Sequence, residues 1–186
     1  MSLGASVAAG EESRLFRDHE EWLRSAARLG PILDLACGRG RHSLALARAG
    51  LPVVGIDRNA ESLAWLRDAA REEGLRLALV RADLETGDSI PLAKGRCGGV
   101  LVFRYLHRPL ADQLAAALAP GGLLVYETFT IHQRELGYGP KNTAFLLNPN
   151  ELPTLFPELE VLHHWEGLIE LPKPAHVAQL VARRRS

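Results

Sequence analysis

Apolar residues recur along this chain with two periods, one typical of helices and one typical of buried strands. Five residues near the start fall close to one face at helical spacing: Leu15, His19, Trp22, Leu23 and Ala26. They predict a helix over residues 12–28, within an N-terminal helical segment (residues 1–28), and Trp22 is expected to be a core anchor. Gly30 and Pro31 end this helix, because glycine and proline interrupt helical backbone.

Short apolar runs bounded by turn residues follow, and they alternate with helical patterns. Strands are predicted at residues 32–36, 53–57, 77–80, 100–103 and 123–126. Helices between them are predicted at residues 41–49, 59–74 and 109–118. A polar loop containing Gly87 and Pro91 is predicted over residues 85–96. This alternation is typical of α/β architecture, in which parallel strands are joined by right-handed helical crossovers.

The end of the chain departs from this alternation. A loop of about 20 residues over 128–149 precedes a short helix at 151–156, and so long a loop is usually functional or mobile. Two strands at 159–170 and 176–183 leave no room for a helix between them, so they predict an antiparallel hairpin. The fold class expected is therefore α/β: a doubly wound, mostly parallel seven-stranded sheet with a C-terminal antiparallel hairpin, in one domain of residues 1–186.

Composition narrows the classes of function. The 186 residues hold 22 Lys plus Arg and 22 Asp plus Glu, so no basic excess points to nucleic acid. Cys37 and Cys97 form no disulfide framework and no zinc spacing, which favours a reducing, cytoplasmic location. Apolar runs fall far short of the ~18 residues that span a bilayer, so no membrane partner is expected.

The first strand, turn and helix carry the candidate chemistry. Gly38 and Gly40 follow the strand and let a ligand approach the backbone, and the helix behind them begins with unpaired N–H groups. Asp57 ends the second strand, where a carboxylate accepts the hydroxyls of a ribose; an ordinary helix-capping role is the alternative. Ser43 stands where a nicotinamide-binding fingerprint has its third glycine.

The segment Asp-Leu-Ala-Cys-Gly-Arg-Gly at 34–40 resembles the first motif of class I methyltransferases dependent on S-adenosylmethionine (SAM). The resemblance continues through Gly-Ile-Asp at 55–57, Ala-Asp-Leu-Glu at 82–85 and Leu-Ala-Pro-Gly-Gly-Leu-Leu at 118–124. It covers about residues 30–130. Within the class, the chain is most similar to the small methyltransferases of the tellurite-resistance type.

This resemblance implies SAM as the cofactor and S-adenosylhomocysteine as its product. The residues that it assigns to SAM are Asp34, Ala36, Cys37, Gly38, Gly40, Asp57, Arg58, Asp83, Leu84 and Phe103. It implies that Asp57 binds the ribose, that Arg58 flanks the adenine, and that Asp83 and the backbone of Leu84 bind the adenine edge. Two positions depart from the family's pattern: Ala36 replaces a first glycine, and Gly98 replaces an aspartate.

Arg104 and Tyr105 leave the carboxyl end of the fourth strand, where ligand chemistry sits in doubly wound folds. They are the candidate catalytic residues, with helix capping as the alternative; His107 is a further candidate. Glu127, after the fifth strand, is either a base or a structural hydrogen-bonding group. Five polar residues of the long loop form a possible lid, with a plain surface loop as the alternative: His132, Arg134, Tyr138, Lys141 and Asn142.

The function expected is in-line transfer of a methyl group from SAM to a small-molecule acceptor. Such a displacement needs mainly positioning and exclusion of water, so the lack of a catalytic triad does not argue against an enzyme. The alternatives are a non-catalytic SAM-binding regulator or subunit and a nicotinamide-dependent oxidoreductase. A nucleic-acid methyltransferase is disfavoured, because Phe-Arg-Tyr-Leu at 103–106 replaces an Asn-Pro-Pro-aromatic motif. His163 and His164 face opposite sides of a strand, so no metal site is predicted.

Overall fold

The computed structural model describes residues 10–86, 93–170 and 173–185. Its strands are β1 (Ile32–Leu35), β2 (Val53–Asp57), β3 (Ala78–Arg81), β4 (Cys97–Phe103), β5 (Leu118–Phe129), β6 (Leu159–Ile169) and β7 (Ala175–Arg184). Its α-helices are α1 (Arg14–Asp18), α2 (Glu20–Ala26), α3 (Arg41–Arg48), α4 (Ala60–Glu72), α5 (Ala111–Ala117) and α6 (Glu151–Thr154). Residues 1–9 of the expected N-terminal segment, and Gly87 and Pro91 of the polar loop, lie outside the described residues.

All seven strands form one sheet in the order β3-β2-β1-β4-β5-β7-β6. Neighbouring strands among β1 to β5 pair in parallel, whereas β7 runs antiparallel to both β5 and β6. The predicted doubly wound sheet with its C-terminal antiparallel hairpin is therefore confirmed. Among the described residues, no helix combines the length and the apolar character needed to cross a bilayer.

Alternate residues of the strands pack against helices on opposite faces of the sheet. Ile32 and Leu101 lie in a cluster with buried residues of α1, α2 and α3. Leu33, next to Ile32, lies instead in a cluster with buried residues of α5 and with Leu152 of α6. Because side chains of a strand alternate between faces, the apolar residues of β1 (Ile32, Leu33 and Leu35) contribute to both cores.

The predicted N-terminal helix is wrong in its continuity. The helix breaks at His19, whose backbone leaves helical geometry (φ −119°, ψ 15°) and whose Nδ1 lies 2.9 Å from the carbonyl oxygen of Leu15. After the break, Leu23 and Ala26 are buried as expected, whereas Trp22 is 43% exposed. Trp22 is therefore not a core anchor; its ring stands edge-on against His19, 5.0 Å between centroids.

Residues 128–149 form a packed excursion from the sheet edge. The first two belong to β5, and two 3₁₀ turns follow, at Ile131–Leu136 and Thr143–Phe145. Gln133 is fully buried and accepts a hydrogen bond from the backbone N–H of His176 on β7, at 2.9 Å. These contacts fasten the excursion to the hairpin at the edge of the sheet.

Candidate functional site

The sheet reverses its direction of growth between β1 and β4, which are adjacent although some sixty residues separate them. Ala36 and Arg104 follow these two strands, and both have left-handed backbones, with φ 52° and φ 58°. This conformation is costly for residues with a Cβ, and it collects at functional sites. Ligands of doubly wound folds bind in the crevice at such a reversal, so the strain marks the candidate site.

The glycine turn shapes one side of this crevice. Gly40 precedes α3 with φ 73°, and a Cβ at this position would lie about 2.4 Å from the side chain of Leu66. The backbone N–H of Gly38 donates a 2.7 Å hydrogen bond to the carboxylate of Asp57. The other oxygen of this carboxylate accepts from the N–H of Asn59, at 2.8 Å. Asp57 thus holds the glycine turn against the end of β2.

Asp34 lies in the wall of the crevice. It is buried, and Ser43 donates a 2.6 Å hydrogen bond to its carboxylate. Burial raises the pKa of Asp34 to about 6, against the lowering effects of the Ser43 hydrogen bonds and of Arg41. Ser43, which replaces the third glycine of a nicotinamide fingerprint, therefore has a structural partner in this chain. Burial and the charges of Asp34 and Asp57 raise the pKa of the Cys37 thiol, which makes it a poor nucleophile.

Two cavities open at this edge of the sheet. The smaller one, about 330 Å³, is called the loop cavity, and five of the residues assigned to SAM line it: Asp34, Ala36, Cys37, Gly40 and Phe103. Asp57 lies at the end of the neighbouring strand β2. Arg58, Asp83 and Leu84 continue along the same edge, with Nη1 of Arg58 4.0 Å from the carboxylate of Asp83.

The larger cavity, about 790 Å³, is called the acceptor cavity. Its walls come from a covering segment (residues 11–19), from residues 163–170 around β6, and from Arg41, Arg104, Glu127 and Gln179. Arg41 and Arg104 line both cavities, so the two spaces meet at these side chains. Among the described residues that line either cavity, none comes from the long loop.

The structure separates the two candidate catalytic residues. The side chain of Arg104 lies in the acceptor cavity, with its guanidinium 4.6 Å from the ring of Phe129. Tyr105 instead packs against the core near three carboxylates: burial, and then Glu85, Asp83 and Asp57, raise its pKa to about 12. Arg104 therefore lies where the two cavities meet, whereas Tyr105 lies toward the other end of the crevice.

Glu127 is a buried carboxylate on the floor of the acceptor cavity, 1% exposed. Its Oε2 accepts hydrogen bonds from the hydroxyl of Ser13 at 3.0 Å and from Nε2 of Gln179 at 2.8 Å. Its Oε1 lies 3.4 Å from Nη2 of Arg104. The carboxylate of Glu127 therefore contacts the covering segment, Arg104 after β4, and β7.

The sequence did not single out Ser13 and His42. Ser13 caps α1, and its backbone N–H donates to Nε2 of the buried His42 at 3.1 Å. The ring of His42 lies between Phe16 and Phe103, with centroids 5.1 and 3.9 Å away. Burial and Arg41 lower the pKa of His42 to about 2, so the ring is neutral and accepts. A serine before a helical run is a recognisable signal for a helix cap, but nothing in the sequence marks its long-range partners.

The remaining candidates lie elsewhere. His132 lies 2.7 Å from Glu135, Tyr138 donates to the carbonyl oxygen of Pro174, and Asn142 caps the second 3₁₀ turn. Arg134 and Lys141 are exposed. His107 precedes the 3₁₀ turn Arg108–Leu110. His163 packs near His19, whereas His164 lies 3.4 Å from Glu166. Within the described ranges, no group of three His, Cys, Asp or Glu residues could hold a metal ion.

A family model described as "Methyltransferase domain" matches residues 32–122, which contain the glycine turn, β4 and the crevice between them. A probable SAM-dependent methyltransferase, TehB of Haemophilus influenzae, is 26% identical over 147 residues, which cover 76% of this chain and 50% of that protein. The crystal structure of TehB from Haemophilus influenzae superimposes with a TM-score of 0.70 and 22% identity, over 90% of this chain and 62% of that one.

Residues 32–122 therefore form a methyltransferase domain, and the chain is similar to class I SAM-dependent methyltransferases. These comparisons confirm the predicted family, its similarity to the tellurite-resistance type, and SAM as the family's cofactor.

A further relative is described as an uncharacterized RNA methyltransferase from Parasynechococcus marenigrum. It is 36% identical over 109 residues, which cover 56% of this chain and 23% of that protein. The chain thus spans half or less of the length of these two curated relatives.

The two departures from the family pattern have structural explanations. Ala36 adopts the left-handed conformation that favours glycine, so the alanine is accommodated at a cost of strain. Gly98, the second residue of β4, lies against the end of α2, where an added Cβ would lie about 2.0 Å from the carbonyl oxygen of Ala26. An aspartate therefore cannot occupy position 98 while α2 packs in this way.

Proposed function

We propose that this methyltransferase transfers the methyl group of SAM to a small-molecule acceptor by in-line displacement. The observation that carries the proposal is the meeting of the loop cavity and the acceptor cavity at Arg41 and Arg104. A volume of about 790 Å³ falls within the usual range for small-molecule sites. The neighbouring loop cavity is formed by the motif that the family uses for SAM.

The residues along the crevice suit the assignments made to them. We assign the methionine end of SAM to the turn from Ala36 to Gly40, with Asp34 and Phe103 behind it. We assign the ribose to Asp57, whose carboxylate already accepts two backbone N–H groups in this edge. The adenine is assigned to Arg58, Asp83 and the backbone of Leu84. The order of these residues along the strand ends supports an extended ligand running from β4 toward β3.

SAM supplies an activated methyl group on a sulfonium when it is bound. The protein's contribution is to hold the acceptor atom about 3–3.5 Å from that methyl group and to keep water out. The covering segment is placed to exclude water, because Ser13 links it both to Glu127 and to His42.

We also propose a cytoplasmic location, which the two free thiols, Cys37 and Cys97, support.

The test combines binding with turnover. Calorimetry should show micromolar binding of SAM and S-adenosylhomocysteine, and radiolabelled SAM should label at least one member of a metabolite panel. A transcribed RNA belongs in the same assay, because one relative is described as an RNA methyltransferase. Labelling of RNA alone contradicts a small-molecule acceptor. Cofactor binding without any transfer favours the regulator, and binding of NAD instead of SAM favours the oxidoreductase.

A further inference from the structure

The pair formed by Arg104 and Glu127 is incompletely hydrogen-bonded. Both Nη1 of Arg104 and Oε1 of Glu127 are buried, and neither has a hydrogen-bond partner among the described residues. The 3.4 Å approach of Nη2 to Oε1 brings the charges together without completing either group. Leaving a buried donor and a buried acceptor unpaired is costly in a folded protein. Both atoms are therefore able to hydrogen-bond a group that binds at the floor of the acceptor cavity.

The two atoms limit the chemistry of a group that could pair with both. It must accept from the guanidinium of Arg104 and donate to the carboxylate of Glu127. A hydroxyl does both, whereas a carboxylate only accepts and an ammonium only donates. A carboxylate would also face the negative charge of Glu127, and an ammonium the positive charge of Arg104. Ser13 already places a hydroxyl on the other oxygen of Glu127, at 3.0 Å, which shows that this carboxylate accepts from hydroxyls.

Two residues of β6 give the acceptor cavity an aromatic and apolar part of its wall. Trp165 and Leu168 of β6 line the cavity and are large hydrophobic side chains with 39% and 41% exposure. Exposed apolar surface in a concave wall suits a flat apolar ligand, and aromatic pairs add to the energy of burial. The ligand expected from the two walls together carries a hydroxyl on an aromatic ring.

Resting on the methyl transfer proposed above, we propose that the acceptor is an aromatic hydroxyl compound bound between Glu127 and Arg104. The hydroxyl oxygen attacks the methyl carbon, the C–O bond forms, and the C–S bond breaks with its electron pair passing to sulfur. The proton of the hydroxyl passes to Oε1 of Glu127 and then to solvent. Arg104 stabilises the negative charge that develops on the oxygen. The products are a methyl ether and S-adenosylhomocysteine.

The first test uses four acceptors on the same ring: 4-methylphenol, 4-methylbenzenethiol, 4-methylbenzoate and 4-methylaniline. Radiolabelled SAM should label 4-methylphenol well above the other three. Labelling of the thiol, the benzoate or the aniline in preference to the phenol overturns this acceptor class. Binding of S-adenosylhomocysteine with no labelling of the phenol also overturns it, and leaves methyl transfer to another acceptor standing. If the protein binds neither SAM nor S-adenosylhomocysteine, the proposed function itself is contradicted.

The second test concerns the proton. Glu127→Gln should lower turnover of 4-methylphenol about 100-fold, the lower range for loss of a general base. The same variant should keep turnover of 4-nitrophenol at a pH where that phenol is already ionised, because no proton then needs removal. Equal loss with both phenols indicates a purely structural Glu127 and overturns the role. Glu160→Gln, at an exposed position of β6, is the matched control and should leave both rates unchanged.

Cofactor affinity and the melting temperature show whether Glu127→Gln is folded. If that variant does not fold, Glu127→Asp withdraws the carboxylate while keeping its charge beside Arg104. It should also slow 4-methylphenol more than ionised 4-nitrophenol. An equal effect on the two phenols in this second variant again overturns the role of Glu127 as proton acceptor.

Discussion

Asp34 is a buried carboxyl group whose pKa is raised in the folded protein. Burial raises its pKa from 3.8 to about 6. In the pH window between these two values, the folded protein without ligand keeps a proton on Asp34 that the unfolded chain has already released. The raised pKa therefore costs stability as the pH rises through the window. A cationic ligand in the same cavity favours the ionised carboxylate and expels the proton.

We therefore expect SAM affinity to increase between pH 5 and pH 7, and Asp34→Asn to flatten this increase. Calorimetry in buffers with different ionisation enthalpies should detect a proton released by wild-type protein near pH 6 and none from the variant. An unchanged pH dependence in Asp34→Asn would show that another group titrates.

Asp57 combines a contact to backbone with the proposed contact to ribose. A charge-assisted hydrogen bond is worth about 1.5–3 kcal/mol, so Asp57→Ala should weaken SAM binding roughly 10- to 150-fold. Part of this loss would come through Gly38, whose N–H donates to the same carboxylate. Asp68→Ala, on the exposed surface of α4, is the control and should leave affinity unchanged. Unaltered calorimetry with a folded Asp57→Ala protein would exclude the ribose contact.

His42 makes the free energy of unfolding depend on pH. Its pKa falls from 6.5 to about 2 on folding, so the unfolded chain takes up a proton below pH 6.5 that the folded chain refuses. Stability should therefore decrease as the pH falls from 7 to 5, by up to about 1.4 kcal/mol per unit from this group alone. His42→Gln keeps an acceptor for Ser13 and should remove this part of the slope. Urea titrations at several pH values measure the difference, and parallel curves for the two proteins would contradict it.

At the scale of elements, two parts of the chain are candidates for a lid over the crevice: the covering segment and the long loop. Ser13 caps α1 and donates to Glu127, so Ser13→Ala should destabilise the segment by about 1–2 kcal/mol. Hydrogen exchange in residues 14–18 should become faster, with the sheet unaffected. Ser25→Ala, at an exposed position of α2, is the control. Equal exchange in both variants would mean that Ser13 does not hold the segment.

The lid role of residues 128–149 stays a prediction, and the structure offers a clear comparison. Gln133 and Leu147 are fully buried, and the N–H of Leu147 donates to the carbonyl oxygen of Phe129 at 3.0 Å. If the covering segment is the element that closes, cofactor and acceptor together should slow exchange in residues 14–18 more than around Leu147. Slowing confined to the loop would favour the original lid assignment, as would lost turnover after shortening the loop between Gly137 and Lys141.

The elements that the sequence predicted well are those whose pattern is local. Buried runs such as residues 32–35 and the periodic helix before Gly74 carry their own signals, and the order of strands followed from the crossover rule. The break at His19 carries no such signal in the sequence, because its side-chain partner, Leu15, stands at ordinary helical spacing four residues before it. The contacts of Ser13 with His42 and Glu127 depend on tertiary packing across 29 and 114 residues. Local periodicity contains no information about pairs so far apart.

For the whole molecule, ligand binding should appear as added stability. A ligand selective for the folded state adds about 2.7 kcal/mol at a hundredfold excess over its dissociation constant, which raises the melting temperature by several degrees in a chain of this size. S-adenosylhomocysteine should give this shift, and NAD at the same concentration should not. A shift with NAD alone would be incompatible with the cofactor assigned to the crevice.

The acceptor cavity takes most of its wall from parts of the chain outside residues 32–122, the region that matches the family's domain. Arg41 and Arg104 are the wall residues that this region supplies among those described. The covering segment and β6 can therefore diverge without disturbing the glycine turn. Evolution can exchange the molecule that is modified while the donor of the methyl group stays the same. Transplanting residues 11–19 and 159–170 between relatives is accordingly a rational route to new acceptors.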